Sequence, residues 1–119
     1  MVDKLNKILA KIQSERGSVT FFGILKMDEY SDKWTVLLSA PWSTDITQKE
    51  DFEYIRNLLR AELDSEEIST VARLGILPKS THLIQLLLNY QSGTEIKSET
   101  KLNGNTIHEG NIILSNPEI

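Results

Sequence analysis

The chain has 119 residues, of which 39% are hydrophobic and 25% charged, a composition that suits one globular domain (1–119) with its own core. It has no cysteine, which excludes a disulfide framework, thiol catalysis and zinc sites built on thiolates. The net charge of −4 argues against a broad nucleic-acid surface, which needs clustered Lys and Arg.

The first segment, "MVDKLNKILAKIQSERG", places Leu5, Ile8, Leu9 and Ile12 at the spacing of one helical face. Its lysines interrupt the apolar residues, so it is not the h-region of a signal peptide. No stretch reaches the ~20 apolar residues of a spanning helix, and a cytoplasmic protein without membrane contact is expected. Arg16-Gly17 supplies a cation near the helix end and then a stop.

A strand is predicted over Ser18–Met27, with Phe21, Leu25 and Met27 on one face and Phe22 and Ile24 on the other. Gly23 marks a bulge or a close backbone approach within it. A five-residue link then leads to a second strand, Lys33–Ala40, as in an antiparallel hairpin. Trp34, Val36 and Leu38 alternate onto its buried face, and Pro41 ends its ladder for want of an N–H.

Thr47–Glu50, "TQKE", has capping-box spacing ahead of a second helix with Phe52, Ile55, Leu59 and Leu63 on its stripe. The polar break "DSEE" either ends that helix or opens a further turn capped by Ser65 or Glu66. A third strand is predicted near Thr70–Leu77, closed by Pro78. Ser80 is placed to cap a third helix, although Leu83–Asn89 is apolar enough to be a buried strand instead. Strands over Thr94–Leu102 and Thr106–Ser115 flank Asn103-Gly104, the pair a two-residue hairpin turn favours. Together these predict an α+β fold in the order α-β-β-α-β-α-β-β: a mixed, largely antiparallel five-stranded sheet with about three helices.

Chemistry is sparse. No glycine-rich phosphate loop, G-x-S-x-G elbow or H-E-x-x-H spacing occurs, so no catalytic residue, metal ligand or cofactor is assigned. The only histidines, His82 and His108, read as structural or surface groups. The candidate binding residues are Trp42, Ser43, Thr44 and Asp45, which follow a strand end just before a helix, where α/β sheets often place ligands. Trp42 there is either a plug on the core or an exposed contact. The function expected is non-enzymatic binding or regulation through protein–protein contact. The alternative is a small-molecule or hydrolytic site at Ser39–Asp45. A homodimer is a further expectation: Glu95, Lys97, Glu99 and Lys101 alternate along a polar edge strand that an antiparallel second copy could match.

The segments "KWTVLLSAPW", "ARLGILP" and "LNGNTIHEGNIILS" together resemble a group of small uncharacterised bacterial proteins. That resemblance implies a bacterial α/β single domain and carries no activity or functional residue with it.

Overall fold

The structure, a computed structural model, describes residues Met1–Ile119. Its elements are α1 (Val2–Glu15), β1 (Phe21–Met27), β2 (Trp34–Ser39), α2 (Gln48–Glu62), α3 (Ser65–Ser69), β3 (Val71–Ile76), α4 (His82–Leu87), β4 (Glu95–Ile96), β5 (Thr100–Leu102) and β6 (Asn105–Ser115). The fold is α+β around one mixed sheet, as expected, with six strands and four helices in place of five and three. No helix is long and apolar enough to cross a membrane.

The sheet runs β3-β2-β1-β6-β4, with β5 also paired to β6. Only β2 and β3 are parallel; α2 and α3 make the crossover between them. The two-residue period of β1 sorts its side chains as the sequence predicts. Phe22 and Ile24 join the core on one face, beneath α1 and α2, while Phe21, Leu25 and Met27 join a second core beneath α4. Leu5, Ile8, Leu9 and Ile12 are the buried stripe of α1. Each contributes at most about 1.5–3 kcal/mol by leaving water. Gly23 marks the bulge: the ladder to β6 shifts register between Phe22 and Gly23, and a Cβ there would stand 3.0 Å from the Asn111 carbonyl oxygen. Asn103 (φ 51°) and Gly104 (φ 78°) form the turn that pairs Leu102 with Asn105.

Four local expectations are corrected. The strand predicted over Thr94–Leu102 is two strands, because Ile96 pairs with Gly110 and Thr100 with Ile107. Four steps on one side oppose three on the other, so Lys97–Glu99 leave the ladder. Glu95, Lys97, Glu99 and Lys101 therefore do not share one continuous edge. "DSEE" opens the extra helix, but Asp64 is the cap: it accepts from the Glu67 N–H while Glu67 accepts from the Asp64 N–H. Thr47 begins α2 without a capping box, since its hydroxyl donates to Asp51 instead. Leu83–Leu87 is helical, and α4 starts after Thr81 rather than Ser80.

α3 is tied to the first helix by charge. Lys4 Nζ donates to Glu67 Oε1 at 2.6 Å. That bond raises the Lys4 ammonium above its ordinary pKa and lowers the Glu67 carboxyl below its own.

Candidate functional site

Trp42, Ser43, Thr44 and Asp45 do follow the end of β2 and lead into α2, but the structure divides them. Ser43 turns inward and Asp45 outward. Thr44 stays exposed at the loop, where its N–H donates to the Thr47 hydroxyl at 3.0 Å. A shallow hollow of about 260 Å³ lies over Ser43, Thr44, Asp45 and Gln48 on one side and Ile76–Pro78 on the other.

What organises this end of the sheet is Asp51, in the first turn of α2. It is 1% exposed. Arg16 Nη1 donates to its Oδ1 at 3.1 Å, while the Ser43 and Thr47 hydroxyls donate to its Oδ2 at 2.8 and 2.7 Å. Burying a carboxylate is costly unless it is paired and hydrogen-bonded, and these three donors meet that condition. They come from the end of α1, the β2–α2 loop and the edge of α2, so the carboxylate joins three separate parts of the chain.

Aromatic rings complete the cluster. The Arg16 guanidinium lies 4.1 Å from the Tyr54 ring centre and 5.6 Å from that of Trp42. The Tyr54 hydroxyl donates to Glu15 at 2.6 Å. Desolvation, and then that hydrogen bond, push the Tyr54 hydroxyl up to about 12. Trp42 is half-buried and packs on the core beneath α1 and α2, and its Nε1 has no hydrogen-bond partner. Thus Trp42 partly fills the strand end while polar groups and a carboxylate also converge there. Neither histidine joins them: His82 opens α4, and His108 on β6 bonds the Asp28 carbonyl through Nε2.

A second surface lies between α2 and β3. Its apolar floor includes Phe52, Leu59, Ile68 and Leu74, and its volume is about 450 Å³. Arg56 and Arg60 line it from α2, and neither makes an ion pair or a side-chain hydrogen bond. Arg73 stands on β3 at the same margin. It donates to the Thr35 hydroxyl at 3.1 Å and its guanidinium lies 5.0 Å from the Tyr30 ring centre, but no carboxylate pairs with it. Of the four arginines in the sequence, only Arg16 has an acidic partner, although the chain carries 17 Asp and Glu.

β3 is the end strand of the sheet, so its outer side is open. The Leu77 N–H donates inward to Leu38. By the alternation of a ladder, the amides of Leu74 and Ile76 point away from β2. Gln48 Nε2 already donates to the Ile76 carbonyl at 3.1 Å. The Leu74 N–H and C=O and the Ile76 N–H remain free.

No protein-family model, curated protein or solved structure matches this chain.

Sequence reasoning missed both Asp51 and the arginine groove. A signal for Asp51 was present: it lies four residues before Ile55, on the stripe that becomes buried, where a carboxylate needs donors. The groove had none, because its two walls are joined only by the crossover.

Proposed function

We propose that this chain is a non-enzymatic binding protein that acts through protein–protein contact, and that the α2–β3 groove is its contact surface. The observation that carries the proposal is a set of three arginines without an acidic partner, Arg56 and Arg60 over an apolar floor and Arg73 on the opposite face of the adjoining open strand, in a chain whose net charge is −4. Arginine presents a flat fork of donors over an apolar stem and is enriched where proteins bind one another. Phe52 adds a half-buried aromatic to the same floor.

The test is a photo-reactive residue at Ala72, which is exposed beside the groove, in cells that make the protein. A discrete protein adduct is expected there and not from the exposed loop position Glu29. The adduct is expected to disappear in an Arg56→Glu/Arg60→Glu background. Absence of any adduct at Ala72 overturns the proposal.

A small-molecule or hydrolytic site at Ser39–Asp45 draws support from one contact, the Ser43 hydroxyl on a buried carboxylate. Against it, Thr47 shares the same oxygen and Arg16 holds the other, so Asp51 is fully engaged in fixing the loop. Hydrolysis of an activated ester that vanishes in Ser43→Ala would favour that site over the groove.

A further inference from the structure

We infer that the partner presents an acidic, extended segment that adds to the sheet as a strand beside β3. This rests on the contact surface just proposed and names what occupies it. Three observations lead there.

The first is the open backbone. Leu74 and Ile76 direct amides outward, and the groups left free there, two N–H and one C=O, are what a further strand would bond. The window is short and bounded. On its N-terminal side the ladder shifts register, with Trp34 opposite Val71 but Thr35 opposite Arg73, so Ala72 is an extra residue. On the C-terminal side Gln48 occupies the Ile76 carbonyl, and Pro78 has no N–H. An incoming strand therefore meets one register rather than several.

The second is where the charges stand. Successive side chains of a strand point to opposite faces. Arg56 and Arg60 rise from α2, which covers the face that Leu74 packs into. Arg73 lies on the other face, over Thr35 and Tyr30. A strand laid beside β3 would thus meet cations on both of its faces, and carboxylates are the groups that match them.

The third observation weighs against the β3 strand of a second copy as the occupant. Two β3 strands paired about a two-fold axis would bring both sets of Arg56, Arg60 and Arg73 to one seam. Like charges placed across a strand pair oppose association.

The probe is a short blocked peptide of Glu-Glu-Val repeats, added to the intact chain. Amide exchange and chemical shifts are followed by nuclear magnetic resonance. Saturable binding with slowed exchange at the Leu74 and Ile76 amides is expected. Arg56→Glu/Arg60→Glu alters only exposed side chains and should weaken binding by about tenfold or more. The same repeats with Lys for Glu should not bind, nor should the acidic peptide carrying methyl groups on alternate backbone nitrogens. Absence of binding, equal binding of the Lys peptide, undiminished binding of the methylated peptide, or a dimer of the chain that protects the same amides overturns the inference. If the peptide fails while the Ala72 adduct persists, the acidic strand is wrong and the contact surface stands. If both fail, the surface itself is wrong.

Discussion

Replacing Asp51 by Ala tests the account of the strand end most directly. The substitution removes an acceptor that is 1% exposed and takes three hydrogen bonds. A hydrogen bond to a charged group contributes about 1.5–3 kcal/mol, and leaving a buried donor unpaired costs at least as much. The full cost of breaking a buried pair does not apply, because the Arg16 side chain is 36% exposed and can turn to water. Taking the low end for Arg16, and less again for each half-buried hydroxyl, gives a loss of about 3 kcal/mol. For a chain of this length that is roughly 10 °C in Tm. Asp51→Asn should lose less, about 1–2 kcal/mol, since its amide oxygen still accepts from Arg16 and the two hydroxyls can rotate to accept from its amide nitrogen. Urea unfolding followed by tryptophan fluorescence and by circular dichroism measures both. An Asp51→Ala midpoint equivalent to a loss under about 0.5 kcal/mol refutes the reasoning, and so does a larger loss for Asn than for Ala.

Two further outcomes follow from the same cluster. Trp42→Phe keeps an aromatic ring on the core and deletes an N–H that has no partner. It should stay within about 1 kcal/mol of the parent in urea, whereas Trp42→Ala loses about 2–3 kcal/mol; equal losses would refute the packing of the ring on the core. Tyr54 is raised from 10.0 to about 12, so its contribution to stability is complete below pH 10 and is lost as pH climbs toward 12. An alkaline absorbance titration should show a tyrosine phase raised toward about 12, and Tyr54→Phe should delete it; the absence of such a phase would refute the burial and the Glu15 bond.

The legible parts of this fold are those in which neighbours in sequence are neighbours in space. The alternation of Phe21, Phe22, Ile24 and Leu25 reports two covered faces because the period of a strand is two. Asn103-Gly104 reports its turn because both residues need positive φ. Reading failed where a partner from elsewhere decided the outcome. Thr47 has the spacing of a cap, but Asp51 is a stronger acceptor for its hydroxyl than the helix is a donor to it. Thr94–Leu102 alternates well enough for one strand, but its register against β6 breaks it. Trp42, Ser43, Thr44 and Asp45 stand out in the sequence for their place after a strand, whereas Asp51, which fixes their loop, reads as ordinary helix polarity. Arg56, Arg60 and Arg73 carry no signal in the sequence, because they come together only once β3 is set parallel to β2 and α2 is folded over it.

The interruption between β4 and β5 bears on stoichiometry. Sheets that polymerise need two matching margins on every copy, one to give and one to receive. Here the margin beyond β6 offers only two ladder residues, then Lys97–Glu99 outside the ladder, then three more. The opposite margin is bounded by Ala72 and Gln48. If a strand is taken up at β3, the far margin, with no run longer than three ladder residues, gives it no continuous edge along which to propagate.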